Sequence, residues 1–343
     1  MNGDRHEENS FHRSGLALGV GSAQAADLKA KVYTKAPPPP VVVSPWDFAF
    51  GAAISSDYRF RGISQSNRQP SVFAYFEPRY NFNENLQLYA GVAGNSISFT
   101  NRAAAEIDVY AGIRPTFGPV AFDFGVFGYL YPGGQCIESG AIAGVGVGLA
   151  GVCGIQTVGT NYAAPALNPL KKDVSFYEVY GKVTWTVNDA FAIGANVYYT
   201  PSFLNSGADG TYVSGTAKYT LPSTLFGSTG VGAYISGEGG YQFLGTTDSF
   251  YRVTPAPVGI NYKDYATWNV GVGFTYKVFT LDLRYSDTDL SKGNCNAFTS
   301  DFGAQGPLTS VTPINPGGFS SKWCGSTFIA KFSADLTAAA NLK

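Results

Sequence analysis

About a dozen stretches of the chain alternate apolar and polar residues at period two, and the connections between them are alternately short and long. Phe122, Phe124 and Val126 take turns with Asp123 and Gly125, and Trp268, Val270, Val272 and Phe274 with Thr267, Asn269 and Gly271. Successive side chains on a strand point to opposite faces, so each stretch carries one apolar and one wet face. Two-faced strands joined by tight turns at one end and long loops at the other are the pattern of an outer-membrane barrel. The expected fold class is all-β, a transmembrane antiparallel up-and-down barrel of about twelve strands.

Composition removes the main competitor. Charged residues make up 14% of the chain against roughly 25% in an ordinary soluble domain. The 42 glycines among 343 residues are about 12%, against a usual ~7%. A spanning helix needs ~20 consecutive apolar residues. The longest uncharged apolar run, Ala141 to Ile155, is shorter and interrupted by glycines. A strand in lipid must have its backbone fully paired, which only a closed barrel achieves.

The chain begins with an expected export address. Gly15 to Ala23 is small and apolar and ends in Ala23-Gln24-Ala25, an A-x-A cleavage pattern, which predicts a signal peptide over residues 1–25. Asp4, Glu7 and Glu8 are unusual for a signal n-region. Lys29, Lys31 and Lys35 then lead into Pro37 to Pro40, so residues 26–45 read as a Pro-rich periplasmic linker and 46–343 as the barrel.

The strands are expected near 46–57, 70–81, 86–98, 105–117, 120–131, 174–187, 191–200, 211–221, 231–244, 265–278, 280–290 and 326–336. The total is even, as in single-chain bacterial barrels. Phe82 to Asn85, Gly118-Pro119, Asn188 to Ala190, Pro222 to Gly230 and Val278-Phe279 follow every second strand and carry turn-forming residues. The long connections, above all Pro132 to Asp173, Gly245 to Asp264 and Ser291 to Gly325, fall at the other end. Both barrel termini are thereby expected in the periplasm and the long loops outside.

Cys136 and Cys153 share one long loop and Cys295 and Cys324 another, so two intraloop disulfides are the simplest of three pairings. An exported chain meets an oxidising compartment where such bridges persist, with buried free thiols as the alternative. No metal and no cofactor are expected, because no CxxC pair occurs and both histidines, His6 and His12, precede the cleavage site. The missing histidine also speaks against a barrel hydrolase with a histidine base, so the chain is not expected to be an enzyme.

Alternation sends Val72, Ala74 and Phe76, and Ile107, Val109 and Ala111, to the lipid. The opposite phases supply Asp47, Glu77, Arg79, Glu106, Asp108, Arg114, Asp123, Glu178, Lys182, Lys218, Glu238, Lys277, Asp282, Arg284, Lys331 and Asp335, nine acidic and seven basic. A one-residue slip would put a strand's charges into hydrocarbon, at roughly 2–4 kcal/mol for each Lys or Arg near the midplane. Two readings of this interior are open: a salt-bridged plug that holds a narrow barrel together, or the lining of a water-filled pore.

The first outer connection reads Ser55-Ser56-Asp57-Tyr58-Arg59-Phe60-Arg61-Gly62-Ile63-Ser64-Gln65-Ser66, with Gln69-Pro70-Ser71 shortly after. Arg59 and Arg61 are expected on one face of a strand, with Tyr58 and Phe60 on the other, and Gly62 turns the chain into the loop. Both guanidiniums then either enter the pore mouth and attract anions or carboxylates, or support the loop, with Asp57 neutralising one of them. This stretch closely resembles the opening SxxYRxRGxSQ element of the TorF-type porin family of proteobacteria, and the resemblance runs from Phe50 to Asn95. The resemblance implies a small outer-membrane channel. The cysteine-bearing loops and the Ala/Pro-rich linker depart from the family and look more like rhizobial outer-membrane proteins.

Between Cys136 and Cys153, Ala141 to Val152 is small and apolar, and either packs on other loops, folds inward or touches the outer-leaflet lipid. The expected function is a porin-like channel for passive diffusion of small polar or charged solutes, located in the bacterial outer membrane. The alternative is a closed structural or adhesive barrel acting through its disulfide-bonded loops. Expected partners are outer-membrane lipid and lipopolysaccharide, small solutes and the barrel assembly machinery, with no nucleic acid and an oligomeric state that the sequence leaves open.

Overall fold

The computed structural model describes residues 44–134, 171–248, 261–299 and 318–342, together with positions 301, 304 and 315. Fourteen strands form: β1 (Trp46–Ser55), β2 (Arg59–Phe60), β3 (Ile63–Ser64), β4 (Ser71–Asn83), β5 (Leu86–Asn95), β6 (Glu106–Phe117), β7 (Val120–Leu130), β8 (Phe176–Thr186), β9 (Phe191–Thr200), β10 (Gly210–Thr220), β11 (Gly232–Leu244), β12 (Tyr265–Tyr276), β13 (Phe279–Thr288) and β14 (Thr327–Thr337). Twelve of them close an antiparallel barrel in which β1 pairs with both β4 and β14. The short pair β2 and β3 stands apart as its own two-stranded sheet. A helix α1 (Lys292–Thr299) lies in the last long connection, and a single turn α2 (Ala338–Asn341) follows β14.

The twelve wall strands lie where alternation predicts them, with ends displaced by a few residues. The third expected strand stops at Asn95 instead of running to 98. Beyond it, Ser96 N–H still donates to Val72 O, but Ser98 N–H donates to Gln65 O, so the first loop takes over the backbone that a longer strand would have used.

The outward phase is apolar. Val126, Phe76 and Val92 expose 51%, 47% and 45% of their surfaces to the surroundings, burial that lipid alone can complete. Aromatic residues ring both rims: Trp46, Phe82, Phe117, Trp185, Tyr219 and Tyr276 at the short-turn end, Tyr177, Trp268, Phe243 and Phe328 at the long-loop end. A closed barrel with an apolar belt between two aromatic girdles is an outer-membrane barrel, and short turns in such barrels face the periplasm.

Two structures fill the inward side. Tyrosines lie flat against the wall where a neighbouring strand offers glycine: a Cβ on Gly112 would come within 2.5 Å of the Tyr89 hydroxyl, and one on Gly125 within 2.6 Å of the Tyr180 hydroxyl. At the long-loop end an apolar cluster forms from the loops themselves, with Ile63, Val174, Phe203, Tyr262, Phe298 and Trp323 buried together. The Cys295–Cys324 disulfide, with Cα atoms 5.9 Å apart, ties α1 to the segment entering β14 beside this cluster. Cys136, Cys153 and the apolar stretch 141–152 lie outside the described residues, as do the expected signal peptide and most of the linker.

Candidate functional site

The first loop folds inward. Phe60 and Ile63 face each other across a two-residue turn, with Arg61 at φ 45° and Gly62 at φ 81°. Positive φ at both central positions is the turn that matches the twist of paired strands, and Gly supplies it at no steric cost. The expectation that Arg59 and Arg61 share a strand face is corrected here. The turn rotates Arg61 out of the alternation, so only Arg59 remains on β2.

Asp57 organises the base of this hairpin. Its Oδ2 accepts Arg59 Nε at 2.7 Å, and its Oδ1 accepts the Ser64 and Ser66 hydroxyls at 2.6 and 3.1 Å. Arg59 also donates to the carbonyls of Gly62 and Gly325 at 2.7 and 3.0 Å. Both charges of the pair are buried, and burial lowers the Arg59 pKa against the opposing pull of Asp57. Trp323 locks the hairpin from above: its carbonyl accepts Ser64 N–H at 2.9 Å and its indole donates to Asn67 Oδ1 at 2.6 Å.

The tip reaches the far wall. In the ring order β1-β14-β13-β12-β11-β10-β9-β8-β7-β6-β5-β4, the strands β8 to β11 stand opposite β1. Arg61 forms a two-pronged bond to Glu178 on β8, at 2.8 and 2.7 Å, and donates to Gln242 Oε1 on β11 at 2.9 Å. Its guanidinium carbon lies 4.4 Å from the Tyr212 ring centre, 5.0 Å from that of Tyr198 and 4.5 Å from that of Phe60. Tyr129 completes the seat by donating to Glu178 at 3.2 Å. Burial disfavours the Arg61 charge, yet the adjacent Glu178 carboxylate outweighs it and raises the pKa.

A second anchor lies nearer the base. The Tyr58 hydroxyl donates to Glu106 at 2.5 Å, and Tyr131 donates to the other Glu106 oxygen at 2.8 Å. Asn95 bridges Glu106 and Asp108 at 3.0 and 3.3 Å. Burial, reinforced by the Glu106 charge, holds the Tyr58 pKa well above its ordinary value.

Below the hairpin lies a cavity of about 2550 Å³ that runs from Tyr58–Gly62 to the short turns around Asn83–Asn85 and Asn188–Ala190. Of the residues expected to line a pore, Arg59, Arg61, Arg79, Arg114, Asp123, Lys182, Lys218, Glu238, Lys277, Asp282, Arg284 and Lys331 line this cavity. Glu77, Glu106, Asp108 and Glu178 are buried behind their partners instead, at 2%, 1%, 1% and 0% exposure. The reason is local. Glu77 is covered by Arg79 at 2.6 Å and Arg114 at 2.8 Å, and Glu178 by Arg61. Arg284 is held by Asp282 at 2.9 Å and by the Asn269 and Ser236 side chains. Lys182, Lys218 and Lys331 rest on the rings of Tyr180, Tyr234 and Phe73. The wall therefore presents both signs to the water, while its tightest pairs are internal. Among the described residues, no group of three or more His, Cys, Asp or Glu is placed to hold a metal ion.

Gln242, Tyr198 and Tyr212 were not legible as part of a site. Each sits in ordinary strand alternation, and nothing local marks them as the far landing of a loop some hundred residues or more away. The local signal is Gly62 between Phe60 and Ile63, a residue that supplies positive φ at no steric cost inside what otherwise reads as a loop.

Residues 41–164 match a sequence family described as bacterial protein of unknown function (Gcw_chp). No curated protein matches the chain. Among solved structures the chain is similar to the NanC porin, at a TM-score of 0.42 and 9% identity over 85% of this chain and 100% of that one. It is also similar to a Pseudomonas aeruginosa FadL homologue, at 0.39 and 10% over 85% and 90% of the two chains. A third likeness is to OmpT, an outer membrane protein of Vibrio cholerae, at 0.34 and 11% over 86% and 99%.

Proposed function

We propose that this outer-membrane barrel is a narrow passive channel for small polar or charged solutes, with the Tyr58–Ser64 hairpin as its constriction. The observation that carries this reading is the hairpin itself, which spans the lumen at the long-loop end of a polar cavity of about 2550 Å³ and lands on the opposite wall. A barrel that needed only mechanical support would be served by wall-to-wall pairs such as Glu77–Arg114, without an element spanning the lumen. The likeness of the Ser55–Ser66 stretch to the opening element of TorF-type porins supports the same reading. No enzymatic role is proposed, since the segment after residue 25 contains no histidine to serve as a base.

Conductance in planar bilayers tests it. The wild-type barrel is expected to show small, stable steps, and Arg61→Ala, which frees the tip, larger and noisier ones. A second reading, a closed barrel acting through its loops, draws on the buried loop cluster and the Cys295–Cys324 bridge above the hairpin. Silent bilayers for both proteins, with the barrel folded, would favour that reading and remove the channel.

A further inference from the structure

The polar partners of Arg61 and two of the three rings around it belong to the wall, and Phe60 of the hairpin supplies the third ring. Glu178, Tyr198, Tyr212 and Gln242 belong to β8, β9, β10 and β11, and Tyr129 to β7, so the backbone that carries each of them is fixed by the barrel and not by the hairpin. Together they offer a buried carboxylate with both oxygens presented to a planar fork, an amide oxygen beside it and two aromatic faces. Carboxylate geometry that accepts two parallel N–H bonds favours guanidinium over a point-like ammonium, and aromatic faces add attraction for a delocalised cation. Glu178 and Gln242 are both fully buried. With Arg61 withdrawn, the Glu178 charge keeps, among the described residues, the Tyr129 hydroxyl as its donor, which makes the empty seat demand another cation.

The occupant, by contrast, is held under backbone tension. Arg61 is a non-glycine residue at φ 45°, a region that L side chains adopt reluctantly. A free ligand with the same head group would make the seat's contacts without that distortion.

We propose that the Glu178 seat is a binding site for small guanidinium-bearing solutes, and that Arg61 is its tethered resident occupant. A solute entering the lumen competes with Arg61 for Glu178, Gln242 and the two tyrosine rings, and the hairpin tip is released in proportion to the solute's occupancy. The consequence for passage rests on the channel reading above; the binding itself does not.

The test uses methylguanidinium as probe on the full barrel. In detergent micelles, saturation-transfer NMR is expected to detect its binding to Arg61→Ala. Binding should weaken roughly tenfold or more when Glu178→Gln is added, because a charge-assisted two-pronged contact becomes a neutral one. Wild type should bind less than Arg61→Ala, since its own side chain holds the seat. In bilayers at constant ionic strength, methylguanidinium should lower the conductance of Arg61→Ala, whereas the same concentration of sodium should not. Equal binding by Arg61→Ala and by the double variant would overturn the proposal. Binding with silent bilayers would keep the site and remove the channel; conduction without binding would do the reverse. Should Arg61→Ala not fold, Arg61→Lys carries the same test. There methylguanidinium is expected to displace the one-pronged lysine, and failure to bind would again overturn the proposal.

Discussion

Asp57 shows how much one side chain can organise. It neutralises Arg59, accepts two serine hydroxyls and thereby sets the base from which Arg61 is extended. Truncating one partner of a buried ion pair typically costs about 3–5 kcal/mol, because the other charge is left without compensation. Asp57→Ala is thus expected to loosen the hairpin without opening the wall. The amides of Ser64 and Gln65, bonded to Trp323 O and Tyr58 O, should exchange with solvent roughly 100- to 1000-fold faster or more. Unchanged exchange at both amides would show that the hairpin is held by its loop contacts rather than by Asp57. Motif composition announced a specialised element here, and Asp57 was legible as a neutraliser of one arginine. Which arginine, and where the other one went, depended on two positive φ angles that residue types alone do not dictate.

Among the elements, the twelve wall strands were the legible part because lipid enforces a strict rule. Every residue on one face must be apolar and the backbone must close on itself, so alternation survives in nearly every strand. Loops answer to no such rule. The 3-10 turn at Phe203–Asn205 and the helix α1 pack into the loop cluster through Phe203 and Phe298, contacts between segments far apart in sequence with no periodic signature. The Cys295–Cys324 bridge was legible from shared loop membership, and its pairing is present; the other expected pair lies outside the described residues. In the chain-entropy account, closing a loop with a sequence separation of 29 is worth about 3–4 kcal/mol of order. Replacing both cysteines with serine is expected to expose the loop between β13 and β14 to proteases while the barrel keeps its heat-modifiable mobility on gels. Loss of that mobility would mean that the bridge supports the wall itself.

For the whole molecule, orientation is the property that the apolar belt leaves undetermined, since a belt has no direction. Alternating loop lengths supply it. Cysteines placed at Ala104 or Asp209, exposed at the long-loop end, are expected to react with an impermeant label on intact cells. Cysteines at Asn83 or Asp189, exposed in the short turns, should react only after the outer membrane is opened. Labelling of Asn83 on whole cells would invert the molecule. The overall charge balance, 23 basic against 24 acidic residues, gives no long-range preference for either end.

The clasp also carries information about the order of assembly. Arg61 belongs to the first loop to emerge, yet its partners lie 117 and 181 residues further along the chain. Contacts of such separation form late, after the chain between them has been placed. The crossing can be completed only when β11 has been laid into the wall, so every earlier stage of insertion carries a first loop without its full set of partners. The arrival of Arg61 on both Glu178 and Gln242 therefore reports that β11 is in place, whereas the ring itself closes only when β14 pairs with β1.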